Sequence, residues 1–229
     1  MLADLKEQVC QANLDLVAEG LVTLTWGNVS GICPDRRRVV IKPSGVSYDQ
    51  LQPNHMVVVD LDGQVLEGDL RPSSDTPTHV LLYRHFEGIG GITHTHSRQA
   101  TMFAQARREI PCLGTTHADH FHGTVPVTRP LTEDEVRSDY EGNTGRVIVE
   151  RFADLDPVAM PAALVAGHAP FTWGGSSADS VKNAIALEAV AEMALGTWLL
   201  NSQALPLESY VLNKHYRRKH GPDAYYGQR

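Results

Sequence analysis

Three cysteines in 229 residues, Cys10, Cys33 and Cys112, leave little room for thiol chemistry. They are odd in number and far apart, with no Cys-x-x-Cys pair. Neither a disulfide framework nor a thiolate zinc site is predicted, and a reducing cytoplasm suits them. Positive charge is also short: 20 Lys and Arg stand against 27 Asp and Glu, for a net charge of −7. No basic stripe stands out, which argues against general nucleic-acid binding. An anionic substrate would have to be held by local donors rather than by a global field. No apolar run is read as long enough to span a bilayer, so no membrane partner is expected. The first residues lack the basic-then-apolar order of a secretory signal. No repeat, low-complexity tract or Pro/Gly-rich linker divides the chain, and no Gly-rich nucleotide-binding motif is seen.

What remains is an ordinary globular composition, 42% hydrophobic and 21% charged, in a chain long enough for a full core. Residues 2–19 read as an amphipathic helix with Leu2, Leu5, Val9, Ala12 and Leu16 at helical spacing. Strands are predicted at 21–30, running into a Gly27-Asn28 turn, and at 38–42. A hairpin is predicted around Asp62-Gly63. A helix follows at 76–86, then a strand at 89–96 and a helix at 98–106. Beyond these come a loop at 114–122, a strand at 123–128, a helical turn near 132–136, and strands at 146–151 and 162–166. The longest helix is predicted at 178–201, and another at 207–220 is stopped by Gly221-Pro222. Hairpin-like connections outnumber strand-helix-strand alternation. The predicted fold is therefore α/β: a single domain over 1–229 with a central, mostly antiparallel β-sheet flanked by helices.

Gly90-Gly91-Ile92-Thr93-His94-Thr95-His96-Ser97 carries the first chemical signal. In a strand, His94 and His96 point to one face with Cα atoms roughly 6.6–6.8 Å apart, close enough for two imidazoles to share an ion. His168 ends a predicted strand among small residues and completes a three-imidazole set of the kind that leaves a divalent ion one open position. Asp75 offers a carboxylate, although Asp before Thr76-Pro77 is equally a helix N-cap. Gly27-Asn28, Ser44-Gly45 and Ser73-Ser74 are three small-residue loops rich in donors, suited to phosphate. In Thr115-Thr116-His117-Ala118-Asp119-His120-Phe121-His122, Asp119 is a candidate general acid/base, the histidines a candidate metal cluster, and a solvated loop the plainer reading. The basic run Lys214-His215-Tyr216-Arg217-Arg218-Lys219-His220 reads on its own as a solvated helix face.

Together these stretches resemble the class II aldolase and adducin head family, and within it the 4-epimerases that act on L-ribulose 5-phosphate. The resemblance runs nearly end to end. It rests on 21–30, 41–46, 72–79, 94–97, 114–119 and the tail 219–228. It implies a zinc site at Asp75, His94, His96 and His168, with manganese or another divalent ion as substitute. It implies that Gly27, Asn28, Lys42, Ser44, Gly45, Ser73, Ser74, Thr115, His215 and Arg218 bind the substrate. Asp119 and Tyr226 would be the acid/base pair, with Tyr226 reaching in from a neighbouring subunit of a homotetramer. The implied reaction is isomerisation of a pentulose phosphate at C4, as used in arabinose or ascorbate catabolism. The C3–C4 bond breaks and re-forms on the other face of a glycolaldehyde phosphate fragment, with the metal stabilising the negative charge that develops. An aldolase of the fuculose-phosphate type is the alternative, but those carry Glu where this chain has Asp75. An adducin-type binding head lacks the catalytic residues retained here. Two departures stand out: Gly167 precedes His168 where a further histidine is expected, and His120 and His122 stand where aromatic residues are expected.

Overall fold

The computed structural model describes residues 2–221 and 224–226; Pro222 and the Gly227-Gln228 end of the tail motif lie outside them. Seven strands form one sheet: β1 (Asn28–Ile32), β2 (Arg38–Ile41), β3 (Val57–Asp60), β4 (Val65–Glu67), β5 (Gly91–His94), β6 (Ala162–Leu164) and β7 (Pro170–Gly174). Their order is β4-β3-β2-β1-β5-β7-β6, and every paired neighbour is antiparallel. Helices α1 (Leu2–Ala18), α2 (Thr76–His85), α3 (Arg98–Gln105), α4 (Thr115–Ala118), α5 (Glu133–Arg151), α6 (Ser177–Leu200) and α7 (Ser209–Lys219) surround it.

Both faces of the sheet are covered, so its inner strands are apolar on both sides. Val40 and Val58 pack with Val9 of α1. Their neighbours Val39, Val57 and Val59 turn to the other face, with Val80 and Leu82 of α2 and Ile148 of α5. This explains the unbroken Val57-Val58-Val59 run, where a half-exposed strand would alternate. Helix α1 sits so close to β1 that a Cβ on Gly31 would meet Val9 at 2.9 Å. The register Asn28↔His94 and Ser30↔Ile92 puts Asn28, Ser30, Ile92 and His94 on the face that α2 covers, because paired residues share a face. On the opposite face Thr93 exchanges a hydrogen bond with Ser180 of α6 at 2.7 Å.

Four expectations need correction. Residues 21–27 form a loop, and the strand begins at Asn28; Leu24 takes φ 55°, and Leu24 and Trp26 are exposed. Residues 123–128 pair only at isolated bridges, Ile110↔Val125 and Val127↔Leu164, the second of them parallel; Pro126 has no N–H to extend the ladder. Residues 146–151 are helical, not extended, and lie in the second half of α5, whose first half holds the predicted turn at 132–136 and which is interrupted at Asp139. Its start is a capping box, with Thr132 and Glu135 bonded reciprocally. The Val147-Ile148 pair that suggested a strand is the buried stripe of that helix. Finally, α6 is in fact long and apolar enough to cross a membrane by length and composition. In the fold, Val181 and Ala184 pack on α1 and β1, while Leu187, Val190, Ala191 and Ala194 join the main core.

The first turn of α6 lies directly against β5. A Cβ on Gly91 would lie 2.3 Å from both Ser176 O and Ser177 N. These are backbone atoms and cannot move aside. Gly91→Ala should cost at least about 3 kcal/mol in urea denaturation, the upper end of overpacking penalties. Gly196→Ala on the same helix, with nothing within 4 Å of the new Cβ, should instead gain about 0.5–1 kcal/mol.

Candidate active site

A pocket of about 560 Å³ opens where β1, β5 and the N-terminus of α2 meet. Its floor holds three of the predicted ligands. The side-chain nitrogens of His94, His96 and His168 all lie within 4.8 Å of one another. Strand β5 ends at His94, so His96 stands just beyond the strand that was predicted to present both. Their Nε2 atoms are nevertheless 3.2 Å apart. His94 Nδ1 donates to Pro170 O at 2.9 Å, which fixes the tautomer and leaves Nε2 with its lone pair toward the pocket. Phe171 stacks on the same ring at 4.2 Å. His168 lies in the β6–β7 loop rather than at a strand end, in a turn closed by Val165 N donating to Ala169 O at 3.0 Å. Gly167, where a further histidine was expected, takes φ +75°.

Burial, then the neighbouring His94, pushes His96 down to about 4 and His168 down to about 3. Both rings are therefore neutral at pH 7, the state in which imidazole coordinates a metal. His168 Nδ1 is buried without a partner. Asp75 stands at the N-cap position of α2, but its side chain makes no capping bond there. It accepts instead from Asn28 Nδ2 at 2.7 Å and lies 4.0 Å from His94 Nε2. Burial alone would raise its carboxyl, but the histidines and Asn28 together outweigh that and hold it low. Three imidazoles, one carboxylate and an orphaned ring nitrogen fit a divalent cation.

The pocket wall is the predicted donor set. An antiparallel bridge Pro43↔Pro72, with Ser44 N donating to Arg71 O and Ser73 N to Lys42 O, joins two of the small-residue loops. Ser44, Gly45, Ser73 and Ser74 thereby line one side with Gly27 and Asn28. Gly27 has φ +82° and would bring a Cβ within 2.8 Å of His94 O, so only glycine fits there. Lys42 is almost fully buried, and burial pushes its ammonium down to about 8. Its Nζ donates to Val46 O at 3.0 Å and lies 4.8 Å from the Tyr48 ring.

The remaining predicted residues gather in a second cluster on α4 and α7, and none of them lines this pocket. The two oxygens of Asp119 accept from Arg218 Nε at 2.9 Å and Nη2 at 2.5 Å. His215 Nδ1 lies 3.1 Å from Oδ1 and Lys219 Nζ 3.5 Å from Oδ2. Burial alone would raise the Asp119 carboxyl, but the hydrogen bonds from Arg218 and His215 and the charges of Lys219 and Arg218 outweigh it and hold it low. His220 Nε2 lies 2.9 Å from the Asp119 carbonyl. Tyr226 N donates to Arg218 O at 3.0 Å, and the Arg218 guanidinium lies 5.0 Å from its ring. The basic helix is thus no free solvated face but the clamp on Asp119. Thr115 opens α4 beside the cluster. His122 bonds Asn213 at 2.9 Å, and His117 bonds Gly123 O at 2.7 Å. Among the described residues, the candidate metal group is His94, His96 and His168; the 117–122 histidines do not form one.

Sequence reasoning missed Tyr140 and Glu141, which line the histidine pocket from α5. Burial, with the negative charges of Asp75 and Glu141, raises the Tyr140 phenol. The available signal was Asp139 three residues before Gly142, a cap pattern inside the helix.

Comparison with known proteins adds the following. The model of the Class II Aldolase and Adducin N-terminal domain family matches residues 7–195. L-ribulose-5-phosphate 4-epimerase UlaF of Salmonella paratyphi C (strain RKS4594) is 53% identical over 225 residues, covering 98% of this chain and 99% of that protein. Its counterpart in Salmonella choleraesuis (strain SC-B67) matches to the same extent. Among solved structures, an L-fuculose 1-phosphate aldolase aligns with TM-score 0.75 at 22% identity, over 94% of this chain and 95% of that one. YgbL from Klebsiella pneumoniae, titled a putative aldolase/epimerase/decarboxylase, aligns with TM-score 0.74 at 25% identity over 93% and 98%.

Purified protein should carry about one divalent ion per chain by elemental analysis, and His94→Ala should lose it. A variant that keeps a full complement would exclude this site.

Proposed function

The chain belongs to the class II aldolase and adducin N-terminal domain family, and on that premise we propose that it is a metal-dependent enzyme interconverting L-ribulose 5-phosphate and D-xylulose 5-phosphate. The observation that carries this reading is the near-full-length identity to named 4-epimerases. The chemistry of the pocket supports it: a candidate cation site on the floor and a donor-rich cradle on the wall. Zinc is the metal we favour, and three free, buried cysteines accord with a cytoplasmic setting.

The roles follow from the residues. A divalent ion held by His94, His96, His168 and Asp75 would supply Lewis-acid polarisation of the ketose carbonyl. Pro170 O fixes the tautomer of His94, and Asn28 holds the Asp75 carboxylate in place. Ser44, Gly45, Ser73, Ser74 and Lys42 grip the phosphate, which keeps the glycolaldehyde phosphate fragment bound while it turns. Inversion at C4 requires the C4 hydroxyl to lose a proton as the C3–C4 bond breaks and its oxygen to regain one after re-addition. Two groups on opposite faces are needed, and Asp119 and Tyr226 are our assignment. Both lie in the α7 cluster, apart from the pocket. We therefore read the two clusters as halves of one site, joined between neighbouring subunits of a homo-oligomer, with the tetramer as our preferred state. Thr115, His215 and Arg218 then contact substrate from the partner's side.

Incubation with L-ribulose 5-phosphate should yield D-xylulose 5-phosphate without release of free aldehyde. Release would favour the aldolase reading. Asp119→Asn should cut the rate by about 10²–10⁴-fold, the usual worth of an acid/base group. Refolding Asp119→Asn chains with His96→Asn chains in equal amounts should restore about a quarter of the wild-type rate by random pairing. A mixture as inactive as its parents would refute a shared site. Phosphate binding has a pH signature of its own. A phosphate anion favours charged Lys42, so above pH about 8 binding must draw in a proton and weakens, up to about tenfold per pH unit. Calorimetry with inorganic phosphate should show this limb in wild type and not in Lys42→Met.

A further inference from the structure

Helix α5 is broken once, and the two residues after the break line the histidine pocket. Asp139 has φ −164° and ψ 79°, so the helical ladder stops there. Its Oδ1 accepts from Gly142 N at 3.1 Å, the bond an N-cap makes to the third residue of a new helix. A side chain on Gly142 would meet Asp139 Oδ2 at 2.0 Å, so the cap and the glycine are matched. The Glu135 carbonyl accepts from Asn143 Nδ2 at 2.8 Å. Arg146 Nη1 in turn donates to Asn143 Oδ1 at 2.5 Å and lies 3.8 Å from Asp139. Asp139, Asn143 and Arg146 thus spend their polar atoms on holding open an interruption that a purely structural helix would not need.

The break delivers Tyr140, the first residue of the second half, into the pocket lining. Its ring lies 6.0 Å from the ring of His168, at the metal end and not among the serine loops. Its backbone carbonyl is satisfied by Thr144 Oγ1 at 2.9 Å, but its hydroxyl bonds no described residue. A half-buried phenol with a free donor, facing a polar pocket, is placed to recognise an oxygen of a bound molecule.

The geometry points to Tyr140 as a substrate-binding residue that donates its phenolic hydrogen bond to a hydroxyl on the metal-side carbons of the bound sugar phosphate, with Asp139, Gly142 and Asn143 as the positioning residues that present it. This rests on the sugar-phosphate reading above and adds a specificity element to it. A ligand of the phosphate cradle alone gains nothing from Tyr140; a polyol reaching the metal end does.

The test uses the full-length, metal-loaded protein with two probes, L-ribulose 5-phosphate in steady-state kinetics and inorganic phosphate in calorimetry. Tyr140→Phe should raise KM by about 3–10-fold, the loss of one hydrogen bond. Its kcat should change less than about twofold, with phosphate affinity, metal content and Tm unchanged. Asp139→Ala should reproduce the KM effect, and Asp139→Asn, which can still cap, should restore it. An unchanged KM in Tyr140→Phe overturns the assignment. So does a matching loss of phosphate affinity, which would mean the wall had collapsed, or a loss in kcat alone. If the wild type acts only on L-fuculose 1-phosphate, the epimerase reading falls, and the same Tyr140 comparison on that substrate still decides this one.

Discussion

Two imidazole nitrogens 3.2 Å apart at the bottom of a pocket cannot both carry protons without clashing, and the rest of the structure is arranged around that crowding. The pair persists because the His94 ring is pinned from behind. His94 is held by Pro170 O and by Phe171, both on the adjacent strand β7. That pinning depends on β5 being the central partner of β1 and β7. It depends in turn on Gly90 and Gly91 letting the start of α6 lie directly on the strand. A chain of close backbone contacts therefore ends in a lone pair aimed at the pocket. Imidazoles pushed so far below their ordinary pKa by burial, as His96 and His168 are, gain little stability for the fold. Such perturbed groups concentrate where a ligand uses them.

The second cluster obeys the opposite electrostatics. Around Asp119 the partners are mostly permanent charges: a bidentate guanidinium and a lysine, with the His215 ring bonded to the same carboxylate. Such a carboxylate is a rigid acceptor rather than a free base, so its proton affinity depends on whether Arg218 keeps its hold. Tyr226 is tied to the same residue through its backbone. The tail and α7 are therefore tied to Asp119 as one cluster, which lies apart from the histidine pocket of its own chain.

The residues that the fold brings together were largely legible one by one in the sequence. His94, His96, His168 and Asp75 carry ligand chemistry in their side chains, and Gly27, Ser44 and Ser73 mark turns through their small size. The sheet was legible from Asp62-Gly63 and the valine runs. Two readings failed because tertiary structure overrode local pattern. Val147-Ile148 looks extended in isolation and is helical because α2 supplies a surface for one helical stripe. Residues 21–27 look like a strand and are a loop, with Leu24 and Trp26 exposed on it. Of the two roles Asp75 offers, ligand and cap, the capping bond is not made, and Asn28, 47 residues away, takes the carboxylate instead. The division into two clusters was not legible in sequence order, since nothing in the spacing of Asp119 and Arg218 shows which residues they avoid.

The broken helix α5 joins these strands of argument. Its capping box at Thr132 and its internal cap at Asp139 use the same physics, a side-chain oxygen satisfying an orphan N–H. The first starts a helix where the chain must turn in any case. The second stops one where continuity would have been cheaper, and Asn143 and Arg146 must then repair the ladder. Local rules were obeyed at both points, so propensity alone cannot tell them apart. What distinguishes them is what the next residue faces: solvent beyond Thr132, and the histidine pocket beyond Asp139. A sequence-level cap in the middle of an otherwise helical stretch is thus informative here because it marks where backbone regularity gives way to the placement of a side chain.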